Sequence, residues 1–218
     1  LRSIDQNMFQ KLVNLQELFL NQNQLAFLPV RLFTNLGKLK VLDLSGNTLT
    51  HLSKGLLGTQ AKLEKLLLHS NQLTSLDSGL LDSLGALVEL QLDRNRIRSI
   101  AQGAFSNLAS LTKFTLNFNK LEALPEVLFQ HMEALDSLQL QGNQLQTLPR
   151  RLFHPLGRLR TLNLAQNLLT QLPEKLFDRL VSLQTLKLSN NALSGLRQGV
   201  FDKLGSLQEL FLDGNSIS

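Results

Sequence analysis

Residues 135–148 read LDSLQLQGNQLQTL, with leucine at 135, 138, 140, 145 and 148 and asparagine at 143. Leu138 and Leu140 alternate with polar neighbours, so in a short strand both leucines point to one face while Ser137, Gln139 and Gln141 point to the other. The same frame recurs along the whole chain. Asn23, Asn47, Asn71, Asn95, Asn119, Asn143, Asn167, Asn191 and Asn215 stand 24 residues apart, nine times without a slip. A period of that length means stacked structural units, and it takes precedence over any domain count based on length.

Each unit carries a second apolar set. Phe9, Phe33, Phe105, Phe129, Phe153, Phe177 and Phe201 follow the period, and an apolar residue three positions later closes the coil. Residues 149–156 then combine a proline, an arginine pair and apolar residues three to four apart, a pattern for a short helical turn or an extended return. The asparagine has both an amide donor and a carbonyl acceptor. Turned inward, it can bridge the backbones of successive coils, and the nine are expected to form a structural ladder. A lone coil cannot bury its leucines, so neighbours must stack into a quasi-one-dimensional array. The expected fold is an α/β solenoid of nine 24-residue repeats, one domain over residues 1–218, curved like a horseshoe with a parallel sheet on the concave side. Strands ~4.8 Å apart give it an inner edge of roughly 40 Å.

Two coils depart from the frame. Ser53, Leu57 and Gln60 stand where neighbours have Pro, Phe and Leu, so the third coil is expected to be soft, with a buried amide. Phe114 replaces the leucine of the other eight coils, and its larger ring is expected to force local adjustment without breaking the ladder.

Composition narrows the chemistry. Without cysteine there is no disulfide framework, thiolate metal site or cysteine nucleophile. No apolar run approaches the ~18 residues of a membrane span, so no membrane insertion is expected. Residues 1–10 lack the basic and apolar blocks of a signal peptide. Trp and Tyr are absent too, which leaves Phe, Leu and Arg to anchor any interface. His51, His69, His131 and His154 fall at different phases of the repeat and face different ways, so neither a metal site nor a nucleophile relay is expected. Asp43 and Glu89 stand two coils apart, ~10 Å by strand spacing, without a pocket to perturb them. The expectation is a non-enzymatic chain with no cofactor.

Three outward columns make up the concave wall. One runs from Glu17 through Val41 to Glu209. The next holds Phe19, Asp43, Leu67, Gln91, Thr115, Gln139, Asn163, Lys187 and Phe211, and the third includes His69 and Asp93. These residues are the candidate binding face for a protein partner. Phe19, Val41 and Leu67 form a candidate apolar patch at one end, with Phe211 at the other. Six acidic and three basic residues give the columns a charge of −3 against +5 for the whole chain, so the basic excess lies off the wall. A nucleic-acid groove would gather Lys, Arg and aromatic residues on one track, so no nucleic-acid partner is expected. Arg150, Arg151, Arg158 and Arg160 cluster off the wall in sequence. Such a patch fits either a solvated flank or a contact with an acidic glycan or anionic surface.

The pattern L-x-x-L-x-L-x-x-N-x-L, as in residues 135–145, resembles the leucine-rich repeat family. The runs LRSIDQNMFQKLVNLQELFLNQNQLAFLP (residues 1–29) and LNFNKLEALPEVLFQHMEALDSLQL (residues 116–140) resemble its extracellular vertebrate members. Residues 1 to about 105 are similar to the platelet-glycoprotein members, and residues from about 106 to 218 to the carboxypeptidase regulatory subunits. That resemblance implies an extracellular module for adhesion or for carrying an enzyme. The family's arrays have cysteine-rich caps and N-linked sugars, whereas this sequence has no cysteine and no Asn-x-Ser/Thr sequon, and Leu1 and Ile217 share one phase of the repeat. These departures lead to the expectation of an engineered or chimeric array, a scaffold for protein–protein interaction or display. Leucines left uncovered at the two ends, Leu18 and Leu20 at one and Leu210 and Leu212 at the other, further suggest an end-to-end homo-oligomer.

Overall fold

Alternation of apolar and polar residues sets one three-residue strand per coil. The computed structural model describes residues 1–218 throughout. Its strands, in chain order, are β1 (Glu17–Phe19), β2 (Val41–Asp43), β3 (Lys65–Leu67), β4 (Ser75–Leu76), β5 (Glu89–Gln91), β6 (Ser99–Ile100), β7 (Lys113–Thr115), β8 (Ser137–Gln139), β9 (Thr161–Asn163), β10 (Thr185–Lys187) and β11 (Glu209–Phe211). All but β4 and β6 join one parallel nine-stranded sheet in chain order, β1 at one edge and β11 at the other. The register never slips: Leu42 faces Leu18 on one side and Leu66 on the other, and Thr185 pairs with Thr161 and Glu209. Behind the sheet, 60 buried apolar residues make one continuous core from Ile4 to Leu204.

The remaining pair, β4 and β6, lies on the descending side at a point where the chain has no proline. Ala101 N–H donates to Leu76 O at 3.0 Å. The matching positions in the next three coils are Pro125, Pro149 and Pro173, which have no N–H to give, and no strand forms there.

The return segments hold no helix. They are overlapping turns, in which Leu152 N–H donates to Pro149 O, His154 to Arg151 O, Leu156 to Phe153 O and Leu159 to Leu156 O, at 3.0 to 3.2 Å. The helical share of the expected α/β solenoid is therefore reduced to turns. Each hydrogen bond spans three residues, and Phe153 and Leu156, which close this coil, face the core directly from these turns.

From Asn47 to Asn215, every period-24 asparagine makes the same three bonds. Its Nδ2 donates to the carbonyl three residues back in its own coil and to the carbonyl 27 back in the preceding coil, at 3.0 to 3.1 Å. Its Oδ1 accepts the N–H of the residue 22 back, at 3.0 to 3.2 Å. Asn23 instead binds its own Leu20 O and the terminal ammonium of Leu1.

A second ladder of inter-coil bonds covers only part of the convex side. The side chains of Asn35, Thr59, Ser83 and Asn107 donate to Gln10 O, Thr34 O, Gly58 O and Asp82 O at 2.9 to 3.0 Å. The later residues of that column are His131, Pro155, Arg179 and Lys203, and none of them continues it. Beyond Phe105, packing changes in parallel. The rings of Phe129, Phe153, Phe177 and Phe201 stack nearly parallel, with centroids 6.4, 6.4 and 6.2 Å apart.

Both irregular coils are absorbed. Phe114 is fully buried and meets Phe105 edge to face, centroids 4.9 Å apart at 84°, a favoured aromatic geometry. The sheet runs unbroken from Leu90 through Phe114 to Leu138. Gln60 is fully buried, but its amide is bonded: Nε2 donates to Phe33 O at 2.7 Å and to Thr59 Oγ1 at 2.9 Å. The buried amide of the third coil thus ties it to the second and is no source of softness by itself.

Replacing Asn119 by Ala leaves Ile97 N–H without an acceptor and takes from Leu92 O and Leu116 O one of their two amide donors each, the others being Asn95 and Asn143, and we expect a loss of about 2 kcal/mol. Asn23→Ala loses only the Leu20 carbonyl of its own coil and the exposed Leu1 ammonium, with no carbonyl of a preceding coil, and should cost about 1 kcal/mol or less. Urea denaturation of the two variants checks the ranking; equal losses would mean that inter-coil bonding is not what the asparagines contribute.

Candidate functional site

The concave wall is built from residues that the ladder and the core leave over. Phe19 stands well exposed at one end, and at the other Lys187 holds its ammonium 5.4 Å from the centre of the half-exposed Phe211 ring. The expected patch of Phe19, Val41 and Leu67 is broken. Asp43 lies between Phe19 and Leu67 in the pairing, so the two side chains are roughly 10 Å apart. Asp43 is itself withdrawn: its Oδ1 accepts from Ser45 N at 3.0 Å and Ser45 Oγ at 2.6 Å. Asn163 does the same with Ala165 N at 3.0 Å. Both are buried and serve the turn rather than the surface. Val41, Leu67, His69, Gln91, Asp93, Thr115, Gln139 and Lys187 are partly exposed on the wall.

The residue before each ladder asparagine adds a column that periodicity of leucines does not reveal. Gln22, Gly46, Ser70, Arg94, Phe118, Gly142, Gln166, Asn190 and Gly214 all have left-handed backbone, φ +55° to +72°. Glycine suits that conformation and occupies it three times; a bulky side chain there is strained. Phe118 is the extreme case, with φ +55° and a ring 40% exposed. Its ring lies over Gly142, where a Cβ would overlap Phe118 Cδ1, and the Arg94 guanidinium sits 5.0 Å from its centre. The Arg94 guanidinium, the Phe118 ring and the bare backbone of Gly142 are thus stacked from coil to coil.

Polar groups converge beside that stack. Asp93 accepts from Thr115 Oγ1 at 2.7 Å, and its other oxygen lies 3.9 Å from Arg94 Nε. Asn117 is 9% exposed and its Oδ1 has no hydrogen-bond partner; Gln141 Oε1, in the next coil of the same column, has none either. Buried polar atoms are ordinarily paired. Two unpaired acceptors next to a cation and an exposed aromatic ring mark the middle of the wall as its most demanding region for a partner. Towards the N-terminal end the wall is quieter, with Lys65 and Glu89 paired at 3.1 Å.

Elsewhere the titratable groups are dispersed. No cluster of three or more His, Asp or Glu could share a metal ion. The four arginines adjacent in sequence are divided between two clefts: Arg150 and Arg151 line one with His154, Lys175 and Arg179, while Arg158 and Arg160 line another, where Arg160 pairs with Asp136. No helix is long and apolar enough to cross a membrane.

The family profile described as leucine rich repeat matches residues 1–49, 13–73, 61–121, 109–169 and 157–217, which together span nearly the whole sequence. The chain belongs to the leucine-rich repeat family. Among solved structures it is similar to a leucine-rich repeat protein of Leptospira interrogans, at 33% identity and TM-score 0.88 over 99% of this chain and 53% of that one. It is also similar to TLR13 in its complex with ssRNA13, at 32% identity and TM-score 0.87 over 99% of this chain and 35% of that one. A third likeness is to a chain of the octameric complex of Latrophilin 3, Unc5D and FLRT2, at 32% identity and TM-score 0.84, covering 93% and 62%. This chain therefore spans less than two thirds of each of these proteins. Comparison with curated proteins gives no match.

Gly142→Ala should place a Cβ against the Phe118 ring in a strained backbone, at a cost of about 1 to 2 kcal/mol. Gly157→Ala, with nothing within 4 Å of the new methyl, should stay within about 0.5 kcal/mol of the parent. Paired urea melts decide: two equal, small effects would remove the coil-to-coil stack from the description of the wall.

Proposed function

We propose that this chain is a non-enzymatic protein-recognition module and that its partner docks in the middle of the concave wall, on Phe118, Arg94, Asn117 and Gln141. Phe118 carries the reading. Folding favours glycine in its column, yet an exposed aromatic ring is held there in strained backbone, beside acceptors that nothing in the chain satisfies. Aromatic rings and arginine are the side chains that most often dominate protein interfaces. The Unc5D–FLRT2–Latrophilin 3 assembly, in which the leucine-rich repeat part belongs to FLRT2, supports a protein partner by analogy.

Finer readings rest on the resemblances. An extracellular role in adhesion, as for platelet glycoprotein V, or in carrying an enzyme, as for the regulatory subunit of carboxypeptidase N, is what the runs at residues 1–29 and 116–140 support. The loss of the convex side-chain ladder after Asn107, near the change of resemblance, supports a chimeric array assembled from two such parents as a display scaffold. A second copy bound along the open edge of β1 or β11 is the alternative partner.

The test is capture of proteins from extracellular fluid by the immobilised chain. Phe118→Gly should lower capture of its main partner about tenfold, the loss of an interface anchor. It should shift stability by less than about 1 kcal/mol, because relief of strain offsets the lost contact. Phe27→Ser, an exposed ring off the wall, should change nothing. Capture indifferent to Phe118 refutes the site. Light scattering that shows a dimer or larger species in isolation favours the self-assembling alternative.

A further inference from the structure

The convex side carries a cleft that the fold repeats but makes strongly cationic only once. Six positions, lying on two adjacent coils, line the opening between them. In the cleft beside Arg31 those positions hold one Lys or Arg, and in the cleft between residues 102 and 131 they hold none. In the cleft between residues 150 and 179 they are Arg150, Arg151, His154, Lys175, Asp178 and Arg179, around an open volume of about 550 Å³ with no apolar residue in its lining. Solenoid packing is satisfied without such an excess of cations, since the other two clefts hold one Lys or Arg between them.

Two further observations set this cleft apart. The chain's ion pairs are Lys65–Glu89, Arg94–Asp93 and Arg160–Asp136, so none of the cleft's four Lys and Arg side chains has a carboxylate partner. Lys175 has φ +63°, whereas its counterparts with left-handed backbone in other coils are Gly55, Gly79 and Gly199. A lysine is kept where the turn favours glycine, and His154 Nε2 lies 3.3 Å from its carbonyl oxygen. Unpaired like charges brought together and a strained backbone are both unfavourable for folding alone; a bound anion turns the first into a favourable contact.

We infer that this cleft is a binding site for the sulfate esters of an acidic polysaccharide, separate from the concave wall. Arginine forks and a lysine ammonium match tetrahedral oxyanions through charge-assisted hydrogen bonds. The spread of cations over two coils fits a ligand with several charges rather than one ion. A single-stranded nucleic acid would also want a track of rings for base stacking, and the lining offers only the His154 imidazole, with no Phe, Tyr or Trp.

Binding of a heparin-derived hexasaccharide, measured by calorimetry at several salt concentrations, tests the site. Arg150→Ser with Arg151→Ser, or Arg179→Ser alone, should weaken binding about tenfold and about threefold respectively, and the salt slope should fall by roughly one per cation removed. Lys175→Gly should weaken binding about threefold with a melting temperature equal to or above the parent's, which separates loss of ligand contact from loss of fold. Lys38→Gln with Lys62→Gln, equal in charge and exposed elsewhere, should change affinity less than about twofold. The inference is overturned if the control pair costs as much as the arginine pair, if Lys175→Gly binds as the parent does, if the desulfated hexasaccharide binds equally, or if a single-stranded oligonucleotide of the same charge competes at the same concentration.

Discussion

One side-chain amide per coil, bonded to two coils at once, is the constraint on which the rest of this structure depends. Short strands of three residues cannot hold a sheet by themselves, and the turn after each strand would bury backbone groups without partners. Asn47 and its successors take up one N–H and two carbonyls each, two of the three in the preceding coil. Register, spacing and the sharp turn are thereby fixed together. The core adds non-directional stabilisation; the ladder makes it specify one alignment of coils.

The sharpness of the turn constrains its other residues as well. The residue before each asparagine is forced into left-handed backbone, and in that column side chains lie over one another from coil to coil. Glycine would satisfy the turn everywhere. Where Arg94 and Phe118 stand instead, the surface gains a cation and an aromatic ring whose positions are set by the backbone rather than by side-chain freedom. The same logic applies on the convex side, where Lys175 shares a left-handed backbone with glycines at the same position of three other coils.

Much of this was legible in the sequence because it is periodic. Nine asparagines, the inward leucines and the phenylalanines give the coil, the parallel sheet and the wall columns without any structural information. The features that escaped depend on contacts within a coil or on conformation. Asp43 and Asn163 fall in an outward column, yet each turns back to bind an N–H two residues on, which alternation alone does not reveal. Phe118 escaped because it belongs to the turn and not to the strand. Gly46, Gly142 and Gly214 in its column were the available signal that this position is left-handed. Gln60 looked like a defect and is a bonded link between coils. The arginines at 150, 151, 158 and 160 are close in sequence but lie in two clefts, because the return turns reverse between them.

Native-state hydrogen exchange on the amides of Leu25, Leu49, Leu73, Ile97, Leu121, Leu145, Leu169 and Leu193 tests the role of the ladder most directly, since each donates to an asparagine Oδ1 of the next coil. If the asparagines couple the coils, these amides exchange as slowly as those of Leu66, Leu90 and Leu138 in the sheet. Ile97 and Leu121 should be among the slowest, and protection should decline together towards both ends. Exchange at the rate of exposed turn amides, with the sheet still protected, would contradict it and leave the core alone to hold the coils in register.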